Sequence, residues 1–168
     1  MKKILLILGL LVITSNSTAQ KSDSVNIQLM NVKIDSLTFA LNKLQQDYDY
    51  LHCNYTLQEE VLSIGDYING LKSNINAVLI NIYHSNFDRK LYKSYKDNYY
   101  SSCELYNAHK EKVTALLEFA SSQIDSCSFP DYKINIINNI CKTLQSSLNQ
   151  AELSLDYYKL VIDLYKDK

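Results

Sequence analysis

Tryptophan is absent from this chain, proline occurs once and glycine three times in 168 residues. A sandwich or barrel of short strands needs turn residues at roughly 8–12-residue intervals, and the chain cannot supply them. One glycine, Gly9, lies in an N-terminal leader pattern. The two that follow cannot build a phosphate-cradling loop, and there is no G-x-S-x-G elbow. No C-x-x-C pair occurs, so zinc-ribbon spacing fails. Basic residues show no excess, with 17 Lys and Arg against 18 Asp and Glu. That balance argues against a general nucleic-acid binder. Beyond the leader, no stretch approaches the roughly 20 apolar residues that cross a bilayer.

The leader has three parts. Lys2 and Lys3 form a basic start, Ile4 to Ile13 an apolar run, and Ser17 and Ala19 a small-residue site ahead of Gln20. This is the pattern of a secretory signal peptide, cleaved after residue 19. Removing it leaves a net side-chain charge of about −3. No cysteine stands at the cut, so a lipoprotein anchor is not indicated. The mature chain, residues 20–168, is expected as one domain in the periplasm or outside the cell of a Gram-negative bacterium. Asn, Ile, Lys and Tyr are abundant, a bias that an AT-rich genome also produces.

The rest reads as long helices. Ile137, Cys141, Leu144, Leu148, Ala151, Leu155, Tyr158, Ile162 and Tyr165 alternate in steps of four and three. This is the stripe of a helix that packs along its whole length on other helices. Ser128 is the expected N-cap, with Pro130 in the first turn. The first third repeats the pattern twice. Met30, Ile34, Leu37, Leu41, Leu44, Tyr48, Leu51 and Tyr55 keep one register. Leu57, Val61, Ile64, Ile68, Leu71, Ile75, Val78 and Ile82 keep another, shifted by one residue. The shift, together with Gly65 and Gly70, predicts a kink or break within 53–70. The middle third carries Tyr92, Tyr95, Tyr99, Tyr106, Val113, Leu116, Ala120 and Cys127, with Ser102, His109 and Gln123 filling the gaps. Ser85 and Asn86 mark the turn before it. The expected fold is all-α: an elongated antiparallel bundle of three to four long helices with coiled-coil-like a/d seams. Its helices span about 24–82, 87–126 and 130–166.

Candidate chemistry is sparse. Cys53, Cys103, Cys127 and Cys141 are even in number, and export suggests disulfides. Folding the chain at about residues 85 and 129 brings Cys53 level with Cys141, with Cys127–Cys141 as the competing pair. Cys103 and Cys127 lie about 36 Å apart along one helix and cannot pair. Asp49 and His52 form a single near miss to a di-iron motif that needs two copies. No metal or cofactor site is expected, and no catalytic constellation, so the chain reads as a non-enzyme. Asp23-Ser24-Val25 and Asp35-Ser36-Leu37 match short bacterial O-glycosylation sites that also arise by chance.

The run 88–102 is the richest. It divides into a tyrosine stripe (Tyr92, Tyr95, Tyr99) and a basic face of Arg89, Lys93 and Lys96, a candidate contact face for an anionic partner. Tyr50, Tyr100 and Tyr157 lie off the stripes and are candidate contact residues. The expectation is a protein that works by contact, as adaptor, assembly component or spacer, with a protein partner or as a homo-oligomer. One alternative is a carrier or sensor holding a small ligand at the tyrosine seam 92–109. A further alternative is an envelope chaperone.

Overall fold

The computed structural model describes residues 23–84 and 90–166. The leader, Arg89 and the turn at Ser85–Asn86 lie outside them. The described residues form three helices and no strand: α1 (Asp23–His84), α2 (Tyr92–Cys127) and α3 (Asp131–Leu164). No described helix is long and apolar enough to cross a membrane. The chain divides into two units, Met1–Gln45 and Gln46–Lys168.

In the second unit the three helices pack around one core. Their order is up, down, up, and the cross-helix contacts show it. Glu60 of α1 pairs with Lys112 of α2 at 2.8 Å, and Tyr67 meets Ser102. Partners therefore fall in sequence on one helix as they rise on the other. The same holds for α2 and α3, where Tyr95 meets Tyr158 and Lys110 meets Glu152. Between α1 and α3 both numbers rise together, from Asp47 with Lys133 to Lys72 beside Ser154.

The core follows the predicted stripes of α2, α3 and the second half of α1, but not the first α1 stripe: Tyr48, Leu51 and Tyr55 are exposed, and Cys53, with Tyr50 partly covered, is buried in their place. From α1 it takes Leu57, Ile64, Ile68, Leu71, Ile75, Val78 and Ile82, with Val61 partly buried. From α3 it takes Ile137, Leu144, Leu148, Ala151, Leu155, Tyr158 and Ile162. The α2 stripe is thinner but occupied, with Tyr95, Tyr106, Val113 and Ala120 buried. Ser102 fills one polar gap, and its hydroxyl donates to the Asn98 carbonyl at 2.9 Å. That local bond lets a serine sit in a core without an unpaired donor.

Two expectations change. α1 runs through 53–70 without a break, so the bundle has three helices rather than four. A Cβ added at Gly65 or Gly70 would meet nothing within 4 Å. Both glycines face outward, and the buried residues on the other side hold the helix despite its two weak positions. Ser128 is not the N-cap of α3. It closes α2 in the left-handed conformation (φ 47°, ψ 50°), and Pro130 stands at the head of α3. The Pro130 carbonyl accepts from the Lys133 and Ile134 amides, which supplies the first turn without a side-chain cap.

In the first unit, helix α1 carries apolar side chains that are exposed. Leu37 is 62% accessible and Leu44 67%, and Ile27, Met30 and Leu41 are open too. Ile34 alone is partly covered. The stripe predicted there is present as spacing but is not covered by the described residues.

Candidate functional site

Three places in the described residues hold enough chemistry to examine. The first is the end of the second unit where α2 starts and α3 stops. The opening turns of α2 present Tyr92, Lys96, Tyr99 and Tyr100, since residues three, four and seven apart share a helix side. The last turns of α3 bring Lys159, Ile162 and Asp163, and Lys166 follows. Between them lies a cleft of about 170 Å³. Three ammonium groups face one carboxylate there, beside aromatic faces. The Lys96 ammonium stands 5.8 Å from the Tyr100 ring centre. The Tyr99 ring meets Tyr158 edge-on at 5.7 Å and Tyr100 at 5.6 Å. A hydrogen bond with Cys103, then burial and the nearby Cys103, Asp156 and Tyr100, push the Tyr99 phenol up to about 12. It stays protonated and can donate. Such a cleft suits a small anionic or aromatic group.

Of the predicted basic face, Lys93 and Lys96 are exposed and Arg89 lies outside the described residues. Of the two described, only Lys96 lines the cleft, where Lys159 of α3 and Lys166 just beyond it join. Sequence spacing within one helix could not find those two. Reading antiparallel neighbours across the turn at 128–130 would have placed the end of α3 beside the start of α2.

The second place is the thiol region. All four cysteines are free, so the expected disulfide is not formed in this structure. Cys53 is fully buried, and Cys103, Cys127 and Cys141 pack partly buried against the same core. Burial first, then Cys141 and Cys127, raise the Cys53 thiol to about 11. A thiol held protonated is a poor nucleophile and a poor metal ligand. Cys127 points at Asp49, 3.8 Å from its carboxylate, and at Gln123. Cys103 instead adjoins Tyr99 and Tyr67, apart from the other three. Asp49 and His52 do not converge: His52 stacks on Tyr48 and meets Phe119 edge-on. Among the described residues no three His, Cys, Asp or Glu gather as metal ligands do.

Nearby, Lys133 is buried, paired with Asp47, and lies 4.7 Å over the Tyr50 ring. Tyr50 is half-buried against Phe129, so it is a packing residue, whereas Tyr100 and Tyr157 are exposed. The α3 stripe begins a turn earlier than its apolar residues suggest: Lys133 is four before Ile137. Its charge hid it, although the spacing pointed there.

The third place is the exposed apolar face of α1 in the first unit, formed by Ile27, Met30, Leu37, Leu41 and Leu44 with Ile34 at its centre. It carries no titratable group on the stripe. What it can do is adhere. No protein-family model, no curated protein and no solved structure matches the chain.

Proposed function

We propose that the chain is an exported helical-bundle protein that acts by protein–protein contact, as adaptor, assembly component or spacer, and not as an enzyme. The observation that carries this is the open apolar stripe of α1. Exposed aliphatic side chains in ordered helical rows are costly in water, and contiguous rows of them mark contact surfaces. The α2 and α3 stripes of the same chain are covered, so the open one stands out. Export rests on the leader and on nothing further.

The deciding measurement is the intact mass, native and denatured, of the protein isolated unreduced from the cells that make it. A chain starting at Gln20 supports export. A second polypeptide or a multiple of the chain mass supports the contact reading. A lone chain that reproducibly carries a small-molecule mass overturns it in favour of a carrier. The cleft of Lys96, Lys159, Lys166 and the tyrosines is the observation behind that second reading. Lys96→Glu would then release the small molecule.

A further inference from the structure

The α1 face in the first unit has a more specific pattern than general stickiness. Ile27, Met30, Ile34, Leu37, Leu41 and Leu44 follow one another in steps of three and four. Written as heptads, Ile27, Ile34 and Leu41 take the a positions, and Met30, Leu37 and Leu44 take d. Strict three–four spacing matches another helix with the same repeat, because each knob then finds a hole of four residues. The residue types narrow the choice further. β-branched side chains at a with leucine at d favour two parallel strands. Two of the three a residues here are isoleucine, and two of the three d residues are leucine.

The flanks agree. The e positions are Asn31, Thr38 and Gln45, and the g positions are Asn26, Lys33 and Ala40. Set against an identical parallel helix, each g residue meets the e residue five positions on. Lys33 then meets Thr38, Asn26 meets Asn31, and Ala40 meets Gln45. No like charges oppose each other, so nothing in the flanks rejects a second copy. A patch that fits itself also gives the symmetric, closed pairing that is commonest among oligomers.

We propose that residues 27–44 form a parallel two-stranded homodimer seam, in register, with the occupant of the exposed face being a second copy of this chain. The proposal rests on the contact reading and names its partner.

The test uses the full chain, with mass in solution followed from about 1 to about 200 µM. A concentration-dependent doubling is expected. Leu37→Asp places a carboxylate in the seam and is expected to weaken association by at least ~30-fold. Leu37 is 62% accessible within one chain, so the variant keeps its fold, which circular dichroism checks. Leu153→Asp, at an equally open position on α3, is expected to leave the mass unchanged. Amine cross-linking of a mixture of light and isotopically heavy chains reads direction: Lys33–Lys33 and Lys43–Lys43 links between chains are expected. Trimers or larger species, or a seam linked head to tail, overturn the parallel pair. A monomer throughout the range overturns the second copy. If Leu37→Asp then abolishes co-purification of a different polypeptide, the contact reading survives without it. If no polypeptide is lost, both fall.

Discussion

Helix α1 contains two apolar stripes with the same spacing and opposite fates. From Leu57 to Ile82, the residues at steps of three and four are buried or nearly so. From Met30 to Tyr55 all but the partly covered Ile34 are open: Tyr48, Leu51 and Tyr55 are each above 60% accessible, as are Leu37 and Leu44. Spacing alone therefore specifies which side of a helix is apolar. It does not specify whether the chain itself brings a neighbour to that side. The neighbour is supplied by α2 and α3, which have 36 and 34 residues against 62 in α1. Within the second unit Tyr48, Leu51 and Tyr55 are open because they lie on the side of α1 opposite Tyr50 and Cys53, which are covered there.

The largest contrast comes from truncating one residue in each stripe. Ile64→Ala is expected to lower unfolding stability by ~2–5 kcal/mol in urea titration, because it empties a site only 1% accessible. Leu37→Ala, measured at concentrations where the chain is monomeric, is expected to stay within ~0.5 kcal/mol. Equal losses at both positions would erase the distinction between the stripes.

Alkali gives the next contrast, between Cys53 and Tyr55. The Cys53 thiol is raised from 9.0 to about 11 by burial and by its sulfur neighbours. An acid whose folded value is raised favours the folded state while it is protonated. Its contribution is complete below about 9 and disappears as pH climbs through about 11. Stability should therefore fall across that window, and Cys53→Ala should flatten the fall. Tyr55 is also raised, through its hydrogen bond to Glu59, but it stands in open solvent. Tyr55→Phe should leave the alkaline profile unchanged.

The buried side has flaws to exploit. The Tyr95 hydroxyl is buried and has no hydrogen-bond partner among the described residues. Tyr95→Phe is expected to raise stability by ~1 kcal/mol, since it removes a desolvated group that returns nothing. A loss of similar size would mean that the hydroxyl is bonded in solution. A small gain is expected at Gly70, on the open side of the covered stretch. Gly70→Ala should add ~0.5–1 kcal/mol to the melting stability, because a new Cβ meets nothing and the unfolded chain loses freedom.

Most of the second unit was readable beforehand, and the reason is chemical. The α3 stripe is aliphatic with few exceptions, so its period survives any reading, and eight spacings led to buried or half-buried residues. The α2 stripe was readable through its gaps, because Ser102 keeps the period even though its hydroxyl must be satisfied locally. Lys133 was missed because a charge in a stripe looks like its end. Only the third dimension shows that Asp47 and the Tyr50 ring receive it. Of the kink or break expected within 53–70 of α1, a break does not occur, for a similar reason. Glycine weakens a helix by an amount that packing on the opposite side easily exceeds. Of the cleft, the tyrosines were legible and Lys159 and Lys166 were not, because they converge through the turn and not through any repeat.

Two phenols tie α2 to its neighbours. Tyr67 of α1 donates to the Ser102 carbonyl at 3.1 Å, and Tyr158 of α3 donates to the Tyr95 carbonyl at 3.2 Å. Both acceptors are main-chain oxygens of α2, one approached from each neighbour. Greasy stripes resist separation but tolerate axial sliding, because a shift by one heptad (about 10.5 Å) restores a similar contact. A phenol reaching a chosen carbonyl is less forgiving. Such a slide leaves a buried hydroxyl to find a new acceptor or go without. The pair thus works as a latch on translation, holding α2 at one height between its neighbours while the hydrophobic core holds it close.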